Sequence, residues 1–401
     1  MTSRLNNRSE SSAALPFPDY NRRVYCLLGI PVDALSFEEV ISTLCNRISL
    51  RSRTVWSTPN MNNLAASQTD SQFRDALALS DLSTVDGMPL VLLARMLKIP
   101  IFERVAGSSA FELLMLDSPE PMTVYFFGGA EGLASRAGQR LSELSKTMTC
   151  VGSHAPGFGT IESMSGDDVL MEINQARPDM LVLSLGTQRG HHWIHLNADK
   201  LGVPVLTHLG SVINFVAGKV TRAPKMMQRF GLEWLWRIFE EPYLASRYAG
   251  DFMALSRLLL CNLVPVVWLR WAAGISGKDR EPPQLLVETA ENKRILRLAG
   301  AWHYKNLQPI RDALSDVANN GADLELDFST VSYVTPELLG LLLLAKGHQI
   351  RCGHGFSIVS TRPGTRRLFR LNRVEHLLTE GEVEGLSYKD GLEYWAGRKS
   401  S

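Results

Sequence analysis

Apolar and polar positions along the first 245 residues follow two alternating periods. Short runs rich in β-branched and aromatic residues are typical of buried strands, and the segments between them repeat apolar positions every three to four residues, as amphipathic helices do. This alternation favours a mostly parallel sheet with helices on both faces. The predicted strands are 24–28, 54–57, 123–127, 149–152, 180–185 and 204–209, and the predicted helices are 37–48, 71–79, 89–97, 133–144 and 167–176.

A polar, proline-containing segment at 274–284 indicates a linker, and the pattern changes after it. The remaining length is enough for a small second α/β domain. We therefore expect a disordered N-terminus at 1–22, a first domain at 23–250, an amphipathic segment and linker at 251–284, and a second domain at 285–390. The second domain has predicted strands at 295–298, 324–328 and 356–360 and predicted helices at 307–318 and 338–350.

Composition narrows the class of protein. The 401 residues are 45% hydrophobic and 21% charged, which is typical of a folded soluble chain. A net charge of +1 gives no support for bulk nucleic-acid binding. Five scattered cysteines without a CxxC pair fit free thiols in a reducing compartment, and residues 1–22 lack the apolar run of a signal peptide or anchor. We expect a cytoplasmic protein.

The apolar stretch 258–269 is the strongest candidate for membrane contact. Twelve residues are too few to cross a bilayer, Arg257 and Arg270 close the stretch, and Pro265 is expected to kink a helix there. An in-plane membrane contact and a buried interdomain helix both fit, and we favour the first. Upstream, the basic and aromatic segment 222–242 suits an anionic ligand beside a membrane, or is an ordinary solvated helix.

Polar side chains at predicted strand ends are the candidates for chemistry, because ligands of parallel sheets collect at the carboxyl ends of the strands. Thr58 and Asn60 follow the second strand, where they contact a ligand or cap the next helix. Asp86, beside a glycine, is a candidate general base, with an N-cap or turn role as the alternative. Arg104 with Gly107 offers a guanidinium and backbone donors for a phosphate or carboxylate.

Two further motifs carry weaker signals. Gly128 and Gly129 follow a strand and precede a helix, so their N–H groups are expected to face a diphosphate, but the full GxGxxG pattern is absent. His191, His192 and His195 lie close in sequence, but no HExxH motif or carboxylate partner supports zinc. We expect no metal and no cofactor.

In order and spacing these segments resemble the WecG/TagA/CpsF glycosyltransferases. The resemblance covers residues 24–250 and implies a Rossmann-like α/β domain. It implies a metal-independent, inverting transferase that moves N-acetylmannosamine, its uronic acid or a related hexose from a UDP donor to a polyprenyl-diphosphate-linked acceptor at the inner membrane face. The segments that carry it are TPNMNNLAASQTDSQFRDAL, LSTVDGMPLVLLARML, ERVAGSSAFELL, YFFGGAEGLA, RPDMLVLSLGT and GKVTRAPKMMQRFGLEWLWRIFEEP.

The resemblance assigns roles to residues of this chain. It implies that Asp86 is the catalytic base, and that Thr58 and Asn60 line its pocket. Arginines of the segment after residue 220 would close over the site and contact the diphosphate. The positions predicted to bind substrate are Thr58, Asn60, Arg104, Gly107, Gly128, Gly129, Gln188, Arg222, Arg229, Arg237 and Arg247.

Three departures from the family pattern bear on activity. The glutamine expected in G-x-P-x-Q-E falls on Gly190 and the acidic residue on His191, with Gln188 as a substitute two positions earlier. Asn214 stands where an aspartate is common, and Leu244 stands at an arginine position. These changes leave the donor sugar open and make an altered or lost activity a real alternative.

Residues 285–380 resemble a STAS domain, the fold of anti-sigma factor antagonists. The resemblance rests on LELDFSTVSYVTPELLGLLLLAKG and RPGTRRLFRLNRVEHLL. Regulatory members carry a phosphorylatable serine where this chain has Pro336, so a phospho-switch at that position is excluded. We expect a binding or packing module that contacts a protein partner.

The leading hypothesis is thus a UDP-sugar-dependent glycosyltransferase of exopolysaccharide or cell-envelope assembly, peripheral at the inner face of the cell membrane. The alternative is a non-catalytic scaffold of a polysaccharide machine that binds partners through the STAS-like domain. A nucleotide-dependent dehydrogenase fits the α/β pattern but lacks its glycine fingerprint.

Overall fold

The structure is a computed structural model of the chain. The described residues are 18–220, 223–224, 226–227, 233–240, 242, 244–290 and 292–378.

The N-terminal part alternates strands and helices, as predicted. Its strands are β1 (Val24–Leu27), β2 (Ile30–Asp33), β3 (Thr54–Ser57), β4 (Leu82–Ser83), β5 (Met122–Gly128), β6 (Met148–His154), β7 (Met180–Ser184) and β8 (Val205–His208). Its helices are α1 (Phe37–Ser49), α2 (Met61–Ser67), α3 (Ser71–Ala78), α4 (Met88–Met96), α5 (Gly107–Asp117), α6 (Leu133–Leu144), α7 (Asp167–Ala176), α8 (Thr187–Asn197), α9 (Val212–Val216), α10 (Glu233–Glu240) and α11 (Leu244–Leu258).

Six of these strands form one parallel sheet in the order β4-β3-β8-β7-β5-β6. Helices cover both of its faces. One face packs against α1, α5, α6 and α9, and the other packs against α7 and α8. Trp56 and Trp193 lie fully buried on opposite faces. The predicted Rossmann-like sheet is confirmed, and every strand end that carries a candidate residue lies at the same carboxyl edge.

The β1–β2 hairpin lies outside this sheet and is fixed to the fold by a buried ion pair. Arg22 Nη2 lies 2.6 Å from Asp33 Oδ2, and Arg22 Nη1 donates to the Ser80 carbonyl at 2.8 Å. Tyr20, just upstream, is buried in a hydrophobic core. The prediction that residues 1–22 are disordered is therefore wrong from Tyr20 onward, because these side chains pack and pair.

A long helix follows α11 without a break. A π-helical segment (Leu259–Leu263) joins α11 to α12 (Val264–Ser276), and Tyr248–Ser276 is 29 residues of continuous helix. By length and composition this helix is sufficient to cross a membrane, although 22% of its most apolar window is buried inside the protein. The apolar stretch predicted at 258–269 covers only the middle of this helix. Pro265 lies in the first turn of α12 and follows the wider π turn, so the helix continues past it.

The C-terminal part has a mixed four-stranded sheet in the order β12-β11-β10-β9. Only β9 runs antiparallel to its neighbour. The elements are β9 (Gln284–Ala290), β10 (Lys293–Trp302), α13 (Gln308–Asn320), β11 (Asp323–Val334), α14 (Pro336–Cys352), β12 (Phe356–Thr361) and α15 (Pro363–Leu371). Short 3₁₀ turns occur at Glu162–Met164, Ala198–Lys200, Lys278–Arg280, Tyr304–Asn306 and Glu375–Leu377.

Helix α14 joins the two parts of the molecule. A Cβ on Gly340 would lie 2.9 Å from the Tyr25 backbone, and one on Gly347 would lie 2.9 Å from the Ala78 carbonyl oxygen. Val24 and Cys26 of β1 share a hydrophobic core with Leu338–Ala345 of α14. The two parts therefore meet through close backbone contact, and α14 is covered by the chain's own hairpin.

Candidate active site at the carboxyl edge of the parallel sheet

The candidate base lies on the turn between β4 and α4. Asp86 is half-buried, and its backbone N–H donates to the Pro59 carbonyl at 2.9 Å, which joins the loops that follow β3 and β4. Helix α4 has Gly87 as its N-cap and shows no side-chain capping bond there. The alternative in which Asp86 is the N-cap residue of this helix is therefore wrong. The carboxylate lies at the sheet edge, as predicted.

Arg104 lies near this carboxylate. Its side chain is 15% exposed, and its Nη2 donates to Glu233 Oε1 at 2.9 Å. Burial favours the neutral guanidine, but the hydrogen bond and charge of Glu233, together with the charge of Asp86, raise the pKa of Arg104 above its ordinary value. A permanent positive charge therefore lies within electrostatic reach of Asp86.

The N-terminus of α5 forms another wall of this edge. A Cβ on Gly107 would overlap Leu209 and lie 3.0 Å from Thr58 Cγ2. Only glycine allows this close approach of α5 to the ends of β3 and β8. The positive end of the α5 dipole is thereby held beside Thr58, an arrangement that favours a negatively charged group.

Asn60 caps the next helix, the role predicted as the alternative to a ligand contact. It is the N-cap of α2, and its Oδ1 accepts from the Asn63 backbone N–H at 3.1 Å while the Asn63 side chain accepts from the Asn60 backbone. This reciprocal arrangement fixes the start of α2 after β3. The side chain thus positions the loop that holds Thr58.

The prediction that Gly129 presents a free N–H group to a diphosphate is wrong. Its N–H donates to the Ser184 carbonyl at 2.8 Å, and α6 begins only at Leu133. Both Gly128 and Gly129 have positive φ, and a Cβ on Gly128 would lie 2.5 Å from the Ser184 carbonyl oxygen. The pair bends the chain sharply against β7 and shapes the sheet edge.

Gln188 is directed toward α3. Its Nε2 donates to Asp70 Oδ2 at 3.0 Å, and Asp70 also caps α3 through the Phe73 N–H. Among the described contacts it is therefore a link between α8 and α3, and its predicted role as a substrate contact stays a prediction.

One histidine of α8, His191, is buried and contacts its own helix. His191 Nδ1 lies 2.8 Å from the Thr187 carbonyl oxygen, and burial lowers the pKa of His191 to about 4. Within the described residues no group of three or more His, Cys, Asp or Glu side chains is placed to share a metal ion.

The arginines of the segment after residue 220 are only partly covered by the description. Arg222 and Arg229 lie outside the described residues. Arg237 lies on α10 and Arg247 on α11, but their side chains also lie outside the described part. Sequence reasoning missed Glu233, which brings α10 to Arg104 across 129 positions. Its only signal was an acidic residue within a basic, aromatic segment.

Comparison with known proteins gives this edge its context. The model of the glycosyl transferase WecG/TagA/CpsF family matches residues 25–266, more than half of the chain. The chain belongs to this family of glycosyltransferases. Asp86, Arg104 and Glu233 all lie within the matched region. A second model, described as Mlab, STAS domain, matches residues 285–379.

Two relatives share one name, N-acetylglucosaminyldiphosphoundecaprenol N-acetyl-beta-D-mannosaminyltransferase. The protein from Bacillus subtilis is 26% identical over 194 residues, which are 48% of this chain and 74% of that protein. The protein from Bacillus spizizenii is 25% identical over 172 residues, which are 43% of this chain and 65% of that protein. Both matches cover less than half of this glycosyltransferase.

A solved structure also matches part of the chain. An anti-sigma factor antagonist from Mycobacterium paratuberculosis covers 28% of this chain and 93% of its own, with 21% identity and a TM-score of 0.22. The assignment of the C-terminal part of this glycosyltransferase as a STAS domain rests on the family model and on its mixed sheet.

Proposed function

We propose that this glycosyltransferase moves an N-acetylmannosamine-type sugar from a UDP donor to a polyprenyl-diphosphate-linked acceptor sugar. The names of the two Bacillus relatives support this choice of acceptor and transferred sugar. The observation that carries the proposal is the proximity of a half-buried carboxylate, Asp86, and a half-buried guanidinium, Arg104, at the carboxyl edge of the sheet. Transfer to a sugar hydroxyl needs both a base and a positive charge.

The proposed step is a single displacement with inversion. The acceptor hydroxyl oxygen bonds to the anomeric carbon, the bond from that carbon to the UDP oxygen breaks, and the hydroxyl proton passes to Asp86. UDP leaves with the bonding electron pair. Arg104 and the positive end of α5 at Gly107 would stabilise this developing charge. Loss of one such contact commonly raises the barrier by about 3–4 kcal/mol.

We propose that the diphosphate is held by arginines and helix N–H groups, without a metal ion. Arg104 and the segment that contains Arg222, Arg229, Arg237 and Arg247 would supply the charge. Glu233 supports this arrangement because it attaches α10, the helix that bears Arg237, to Arg104 near the proposed base.

We also propose that the protein binds the membrane surface through the outer face of α11–α12. The inner face is anchored, because Leu263 and Val266 are fully buried and Arg270 Nη1 donates to the Leu97 carbonyl at 2.5 Å. The outer face exposes apolar side chains at spacings of three or four residues: Leu260, Val264, Val267, Trp268, Trp271 and Ile275. A helix with one anchored face and one exposed apolar face suits the plane of the interface.

The deciding experiment is a product assay with purified protein. UDP release is measured with a lipid-linked N-acetylglucosamine diphosphate acceptor and a panel of UDP-hexose derivatives, with and without EDTA. The proposal predicts acceptor-dependent release with at least one N-acetylated donor, unchanged by EDTA. Absence of release with every donor, in protein that still binds UDP, would contradict transfer. Loss of release with EDTA would contradict the metal-free step only.

The scaffold alternative receives less support from the structure. The first turns of α14, which follow the loop of the STAS domain, pack against β1, and Thr335 in that loop is buried. This surface is occupied within the chain.

A further inference from the structure

The end of β8 holds a histidine for which the mechanism above has no use. His208 is the last residue of β8, the strand between β3 and β7 in the middle of the sheet. Its neighbour Leu209 contacts the α5 N-terminus at Gly107. The connection after β3 leads to β4 at one edge of the sheet, and the connection after β5 leads to β6 at the other edge. Ligands of such sheets are expected between strands whose connections diverge, and β8 ends between β3 and β5.

The ring of His208 lies directly over a glycine of α8. A Cβ on Gly190 would overlap the ring and would lie 2.8 Å from Cγ and 2.9 Å from Nε2 of His208. Position 190 is where the family pattern has a polar side chain. In this chain the polar group in that space comes from β8 and not from α8.

The imidazole is neutral, and its Nε2 lacks a partner. Burial, with the nearby His191, lowers the pKa of His208 to about 3. Its Nε2 is enclosed, and no protein hydrogen-bond partner is present for it. Leaving a buried polar atom unpaired is costly, so such an atom needs an explanation. A neutral imidazole offers one donor and one acceptor, as an amide does, and both suit hydroxyl or amide groups better than a phosphate.

We propose that His208 hydrogen-bonds a hydroxyl or N-acetyl group of a substrate sugar at the end of β8. The proposal rests on the proposed glycosyl transfer. In this proposal the group that recognises the sugar is on β8 and not on α8. The His208 ring fills the space that Gly190 leaves open. The three nearest atoms to a Cβ at 190 all belong to the imidazole ring, so His208→Ala would clear space for a longer side chain there.

The test is a set of four variants assayed for UDP release with UDP-N-acetylmannosamine and the lipid-linked acceptor. His208→Ala is expected to lower kcat/KM about tenfold or more through a raised KM for one of the two substrates. Gly190→Gln alone is expected to lose activity, because it overlaps the ring. The double variant His208→Ala/Gly190→Gln is expected to recover to within about threefold of the original protein.

The matched control is His208→Ala/Gly190→Leu, which refills the volume without a hydrogen-bonding group. If His208 contacts the sugar, the leucine double variant is expected to regain the thermal stability lost in His208→Ala but not the original KM. Equal recovery of KM with leucine and glutamine, or an unchanged KM in His208→Ala, would overturn the proposal and leave the transferase activity standing. Absence of turnover in the unaltered protein would instead contradict the proposed function, and this inference with it.

Discussion

The contact between Arg104 and Glu233 gives a prediction that can be worked out in detail. It links α10 to Arg104, which lies near the candidate base. The bond is 2.9 Å long, and the two side chains are 15% and 29% exposed. A hydrogen bond to a charged group contributes about 1.5–3 kcal/mol, and solvent at Glu233 reduces this, so we expect a coupling of about 1–2 kcal/mol.

The assay is amide hydrogen exchange of residues 233–240, since local opening of α10 breaks this contact. Glu233→Gln and Arg104→Gln are each expected to lower protection in α10 about 5- to 30-fold, and the double variant no further. Glu240→Gln removes an exposed carboxylate at the other end of the same helix and should leave protection nearly unchanged.

Two outcomes would refute this reasoning. If protection in α10 is unchanged in Glu233→Gln, the contact does not hold the helix. If the two single effects add in the double variant, the residues act independently, and there is no coupling free energy between Glu233 and Arg104.

Three further predictions concern stability and membrane contact. Gly340→Leu places a side chain against the backbone of β1 and should lower the free energy of unfolding by about 1–3 kcal/mol, whereas Gly364→Ala, in open space, should not. His191 titrates at about 4 when folded and near 6.5 when unfolded, so the native state binds fewer protons between these values. The titration of His191 alone should lower the free energy of unfolding by about 2 kcal/mol on acidification to pH 5, so the total loss measured by urea unfolding should be smaller by about this amount in His191→Gln. Replacing Trp268 and Trp271 with glutamate should abolish flotation with anionic vesicles; persistent flotation would exclude this face.

The sequence was sufficient to predict the parallel sheet, because its buried strands and amphipathic helices have distinct periods. It missed β4, which has two residues, and β9, whose residues are mostly exposed, because neither has a clear apolar pattern. It also missed α8, where histidines and a glycine interrupt the apolar face.

The junction between the two parts was beyond sequence patterns. Helix α14 is apolar on nearly all sides and contains Gly340 and Gly347, a composition that indicates burial on more than one face. The pattern does not reveal which segment covers it. That segment is the β1–β2 hairpin, more than 300 positions upstream.

The candidate site was also only partly predictable from local sequence patterns. The sequence showed that Asp86 follows a short apolar stretch and precedes a helix. The two-residue strand β4 and its parallel pairing with β3, which bring Asp86 to the loop after β3, were missed. The contact of Arg104 with Glu233 and the overlap of His208 with Gly190 depend on tertiary packing, for which the chain has no local signal.

The most direct test of the account is the turnover of Asp86→Asn, an isosteric change that removes the base. UDP release is measured with the lipid-linked acceptor and the donor that the unaltered protein prefers, together with UDP binding by calorimetry. The account predicts that release falls by about 10²-fold or more, while UDP binding and the unfolding midpoint are retained. Release at the rate of the unaltered protein would contradict the assignment of Asp86 as the base.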